Sequence, residues 1–188
     1  MRKIATKKDS RRKNKRNQIL IGLLLVFVMV ASTFGIITNS FGNSSLKKVE
    51  YNGIEFIPQN GFWVTKIGDF IFAFKYNPYE SEKSIGKINT LNKYSGLPLY
   101  IDSEHPEASY EIYNNFKNVA LRITPACIDE NDCEENLPIK NCEDNLIIIN
   151  RNETLKVMQE DNCLFIQGPE ENLTRITDGV LYKIVGVV

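Results

Sequence analysis

The chain has 188 residues with 23 basic and 23 acidic side chains, a single histidine and a formal net charge of zero. The zero is a cancellation: residues 1–17 carry nine Lys/Arg against Asp9 alone, about +8, and the other 171 residues carry 14 basic and 22 acidic groups, about −8. A split of that size excludes a uniformly charged soluble particle and points to two environments for one chain.

The basic tail, 1–17, leads into "ILIGLLLVFVMVASTFGII", 19 residues from Ile19 to Ile37 without a charge or a proline. As a helix that run would rise roughly 28 Å, close to the ~30 Å hydrocarbon core of a bilayer. A transmembrane helix is therefore expected at 18–38. A cleaved signal peptide is the rival reading, with Val30-Ala31-Ser32 as its cleavage site, but the apolar run continues past that site. A pilin leader fits poorly, because "KRNQILIG" lacks the small residue its processing needs. The excess of Lys/Arg before the apolar run predicts a cytoplasmic N-terminus, also held by anionic lipid, and an exported C-terminal part. Nucleic-acid binding by the tail is the competing reading, weakened by the apolar span next to it. The expected location is the cell membrane, single-pass.

"TNSFGNSS" opens a polar linker, 39–46. Residues 47–188 are expected to form one α+β domain with a mixed sheet: two β-meanders, one β-α-β crossover and a closing amphipathic helix. "VEYNGIEFI" reads as two strands around an Asn-Gly turn. "FWVTKIGDFIFAFKY" alternates Phe70, Phe72, Phe74 and Tyr76 on what should be a core face. Residues 77–96 are polar and turn-rich. "LPLYI", a helix from Pro106 with Ile112, Tyr113, Phe116 and Ala120 on one face, and "VALRIT" make the crossover. "NLIIIN", "TLKVM" and "CLFIQG" read as the second meander. The last helix carries Leu173, Ile176, Val180, Leu181 and Ile184 on one face.

All four cysteines, Cys127, Cys133, Cys142 and Cys163, fall in the exported part. An even count in an oxidising compartment reads as disulfides. The spacings lack the close C-x2-C pairs of a zinc site or of a redox motif, so no metal is expected. Of the three connectivities, Cys127–Cys133 and Cys142–Cys163 is favoured: the first closes the short loop around "IDEND", the second joins segments flanking two strand-like runs.

Chemistry is sparse. "IDSEHPE" places Asp102, Ser103, Glu104 and His105 where a strand ends and a helix begins, the usual location of ligands in open α/β sheets. His105 is the candidate general base; helix capping is the plainer reading of the same residues. No nucleophile elbow, P-loop, H-E-x-x-H or dinucleotide fingerprint occurs, so no catalytic residue and no cofactor is assigned. Sequons at Asn43, Asn152 and Asn172 are candidate glycosylation sites. The expected function is an extracytoplasmic binding or assembly domain, with the lipid bilayer and another envelope or membrane protein as partners and no nucleic acid. A carboxylate-based hydrolase using residues 102–107 is the alternative.

"VEYNGIEFIPQNGFWVTKIG", "LPIKNCEDN", "QEDNCLFIQG" and the terminal "TDGVLYKIVGV" resemble segments of a group of small single-span archaeal membrane proteins with a cysteine-containing exported domain. The resemblance implies an N-terminal anchor and a shared fold, and no activity.

Overall fold

A computed structural model describes residues 18–29, 47–83, 85–130, 133 and 136–188. It divides into two units, 1–46 and 47–188. In the first, helix α1 covers 18–29 and exposes its apolar side chains. Its twelve described residues rise about 18 Å. No helix among the described residues is long and apolar enough to cross a membrane. The transmembrane helix expected at 18–38 is corrected accordingly. Residues 30–38, the basic tail 1–17 and the linker 39–46 lie outside the described residues.

The second unit is α+β and holds two sheets where one was expected. The first is an antiparallel meander of β1 (Val49–Tyr51), β2 (Ile54–Gln59), β3 (Phe62–Ile67) and β4 (Phe70–Phe74). Asn52-Gly53 and Asn60-Gly61 make its first two turns, all four residues at positive φ. This is the backbone that a two-residue hairpin requires and that Asn and Gly adopt at least cost. The second sheet contains β5 (Pro98–Ser103), β6 (Arg122–Pro125), β7 (Leu146–Arg151), β8 (Lys156–Glu160) and β9 (Cys163–Gly168), in the order β6-β5-β7-β9-β8. Helix α2 (Pro106–Phe116) joins β5 to β6, which pair in parallel.

The second meander does not exist. β7 pairs in parallel with β5 and β9, while β8 lies at the edge, antiparallel to β9 alone. The physical reason lies in the sequence of β7. "LIII" is buried on every residue, as parallel strands covered on both faces must be, and such a run gives no alternation from which to infer its neighbours.

Helix α3 (Leu173–Ile184), entered through a 3-10 turn at Glu170–Asn172, completes the main core. There Phe56, Phe72 and Phe74 of the first sheet meet Ile112 and Phe116 of α2, Leu181 and Tyr182 of α3, and Ile147, Ile149, Leu164 and Ile166 of the second sheet. The Phe74 and Tyr182 rings lie 4.1 Å apart between centroids, and Phe56 meets Tyr182 edge-on at 5.6 Å. The opposite face of the second sheet has a smaller core of Tyr100, Ala126, Leu146, Ile148 and Cys163.

Two disulfides close the cysteine segment: Cys127–Cys133, with Cα atoms 5.6 Å apart, and Cys142–Cys163, at 4.9 Å. The pairing is the expected one, but the geometry behind the second differs. Cys142 and Cys163 meet because β7 and β9 are parallel neighbours that start at the same end, with Leu146 opposite Cys163.

Candidate functional site

The four residues singled out at 102–105 sit together at the end of β5, and three of them are engaged in holding backbone. Asp102 Oδ2 accepts the Ile128 N–H at 2.7 Å, which ties down the start of the cysteine loop. Ser103 Oγ accepts the His105 N–H at 3.0 Å. His105 is the N-cap of α2: its Nδ1 accepts the Ala108 N–H at 3.1 Å. A neutral His105 therefore carries its proton on Nε2, and its basic nitrogen is occupied by the helix. Glu104 is exposed. No acid–base pair results. Asn152 is exposed between β7 and β8, and Asn172 is half-buried with Oδ1 accepting from Arg175 at 2.8 Å. Asn43 lies outside the described residues. Among the described residues, no group of three His, Cys, Asp or Glu could hold a metal ion.

Two other features have the form of sites. The first is an apolar groove of about 470 Å³ between α2 and β6, walled by Ile101, Ser103, Pro106, Tyr110, Tyr113 and Ile123. Tyr110 and Tyr113 are 53% and 51% exposed. Tyr113 was expected on the buried face of α2, but Glu111 and Asn115 are buried instead. The groove runs beside the open edge of the second sheet, because β6 pairs only with β5. Leu121 donates its N–H to Leu97 and Ala126 donates to Ile101. Backbone direction alternates along a strand, so Arg122 and Thr124 share the side of Ala126, and Ile123 turns its N–H and C=O groups outward. Pro125 has no N–H to offer, which limits that edge to a short stretch.

The second feature is a pair of buried acids. Glu111 on α2 is 3% exposed and Asp178 on α3 is 0% exposed. Asp178 Oδ2 accepts the Tyr76 N–H at 2.8 Å, and Tyr182 donates its hydroxyl to the Tyr76 carbonyl at 2.7 Å. Glu111 Oε2 and Asp178 Oδ1 are buried and meet no donor among the described residues. The two side chains are within hydrogen-bonding reach of each other. Carboxylates only accept hydrogen bonds, so one proton between the two carboxyls satisfies both orphaned oxygens. Burial pushes the Glu111 carboxyl up to about 7. Burial and then the charge of Glu111 hold Asp178 well above the usual carboxylate range. A cavity of about 390 Å³ lined by Phe62, Lys75, Glu107, Tyr110, Glu111 and Thr174 adjoins the pair.

Neither acid stood out in the sequence, because an acid on a helix reads as solvent-facing. The available signal was spacing. Glu111 lies three residues after Ala108 and Asp178 three before Leu181, so each falls inside an apolar stripe.

A more open recess of about 680 Å³ lies where β7 and β9 begin, lined by Asn89, Lys93, Asn141, Glu143, Asp161 and Asn162 among others. Its polar groups are largely spent on loop backbone, as when Asn162 Nδ2 donates to the Glu143 carbonyl and Asn89 Nδ2 to that of Asp161.

No family model matches this chain, and comparison with curated proteins and with solved structures finds no match.

Proposed function

We propose that residues 47–188 form a disulfide-stapled binding domain that works outside the cytoplasm and takes an extended peptide segment of a partner protein in the groove between α2 and β6. The observation that carries this reading is the groove itself. An apolar cleft with two half-exposed tyrosines lies beside outward-facing backbone groups of a sheet edge. That combination suits strand addition, in which backbone hydrogen bonds supply affinity and alternate side chains enter the cleft. Tyrosines suit such a wall because they offer large contact area at low entropic cost. Two disulfides support an oxidising compartment, since thiols stay reduced in the cytosol.

Panning the oxidised full-length protein against a linear peptide library on phage tests the reading. Enriched peptides should carry apolar residues at every second position. The Tyr110→Ala/Tyr113→Ala protein should bind them at least tenfold more weakly, and Ile123→Pro, which deletes the outward N–H of β6, should also weaken them. Failure to enrich any shared motif, or binding that survives both changes, would overturn it.

A further inference from the structure

Residues 75–83 form a strap across α3. The strap is held at Tyr76, whose N–H is bound by Asp178 and whose carbonyl is bound by Tyr182. Further along, the backbone of Glu82 lies directly against Gly179, so that a Cβ there would overlap the Glu82 carbonyl. Between these points an Asn77-centred turn stiffens the strap: Asn77 accepts the Glu80 and Ser81 N–H groups on its carbonyl and the Tyr79 N–H on its side chain. The strap in turn reaches β1, with the Tyr79 hydroxyl donating to the Glu50 carbonyl and its ring 5.1 Å from that of Tyr51.

We propose that the Glu111–Asp178 pair is a proton-operated latch: one proton shared between Glu111 Oε2 and Asp178 Oδ1 keeps the strap on α3, and its loss releases the strap. The reasoning is geometric. With the proton in place, both orphaned oxygens are satisfied and the pair carries one negative charge, met by the Tyr76 N–H and the backbone of Lys75. Without it, two negative charges lie side by side on carboxyls that are 3% and 0% exposed. The groups facing the pair do little to relieve this. Among the described residues, Lys75 is the only cation acting on either carboxyl, and it is an exposed residue that lines the cavity. Glu107 on α2 adds negative charge beside Glu111, and Tyr182 on α3 is neutral, its ionisation suppressed by burial and then by Asp178, Glu111 and Glu80. Asp178 is the group that can escape least, at 0% exposed. Along the strap, by contrast, Lys75, Tyr79, Glu80 and Lys83 are exposed.

The sign follows from the direction of both shifts. Acids with raised affinity for protons in the fold give stability that is complete below their unfolded values and is lost as pH rises through the folded ones. For Glu111 that window runs from the ordinary 4.5 to about 7.

Hydrogen exchange of the oxidised full-length chain at pH 4.5, 6 and 8, with rates corrected for intrinsic chemistry, reads the latch. Protection of the 75–83 amides, Tyr76 above all, should fall at least tenfold from the lowest to the highest pH, while amides of β7 and β9 change much less. Glu111→Gln, which donates a hydrogen bond at every pH, should flatten the profile. If that variant does not fold, Asp178→Asn reads the same quantity, and the wild-type profile decides by itself. Strap protection that is constant with pH, or a fall that Glu111→Gln reproduces unchanged, would refute the latch.

Discussion

The seating of the strap depends on Gly179 as well as on Asp178 and Tyr182. The missing side chain of Gly179 lets the Glu82 backbone lie on α3. Gly179→Ala forces a methyl group into a carbonyl and should destabilise the domain by about 1–3 kcal/mol, the usual cost of overpacking; urea unfolding measures it. Tyr182→Phe is milder. It removes only the hydroxyl that binds the Tyr76 carbonyl and should cost about 1 kcal/mol. At the start of α2, His105→Ala removes an N-cap and should cost about 0.5–2 kcal/mol without abolishing peptide binding. A hydrolase centred on 102–107 would instead lose its activity in that variant. At this scale the sequence was a poor guide. His105 and Asp102 were visible as polar residues at a helix start, yet nothing in their spacing shows whether a nitrogen or oxygen is spent on backbone. Glu111 and Asp178 had only their spacing inside apolar stripes to mark them, and it takes a partner acid from a distant helix to explain their burial.

Among the elements, α2 does two jobs. One face packs Ile112 and Phe116 into the core, and Asn115 reaches sideways to β4. Its carboxamide accepts the Ala73 N–H at 2.8 Å and donates to the Ala73 carbonyl at 2.8 Å. A side chain thus stands in for the strand neighbour that the edge of the first sheet lacks, which protects that edge. Asn115→Ala should leave both Ala73 groups unpaired and cost roughly 2–3 kcal/mol, with faster exchange of the Ala73 amide as its local signature. The first sheet was legible because its strands alternate and its turns carry Asn-Gly, two local signals that agree. In the second sheet, β7 has no alternation, and β8 and β9 were assigned to it by proximity in sequence. The winning arrangement inserts β9 between β7 and β8, a non-local choice driven by burying both faces of "LIII" at once. The second position of the predicted α2 stripe, Tyr113, was misplaced for a related reason: an aromatic residue passes for core until Glu111 and Asn115 are seen to occupy that face.

For the whole molecule, the disulfides are the largest separable contribution. Their sequence separations are 21 for Cys142–Cys163 and 6 for Cys127–Cys133. In the chain-entropy description these correspond to about 3.4 and about 2.3 kcal/mol. The Cys142→Ser/Cys163→Ser protein should therefore be the less stable of the two double variants, with the gap widened by loss of packing around Cys163, which is 0% exposed. Thermal unfolding of both pairs with and without reductant checks the order. The placement of β9 has one more consequence, for the timing of folding. It is the last strand made, yet it occupies an interior position, and α3 follows it to seal the core. A chain delivered N-terminus first can complete its antiparallel hairpins early, but β7 has only β5 beside it until nearly every residue has emerged. Long-range pairing of this kind is slow. Chains stopped before Leu173 should thus remain protease-sensitive through the second sheet, whatever the state of their first.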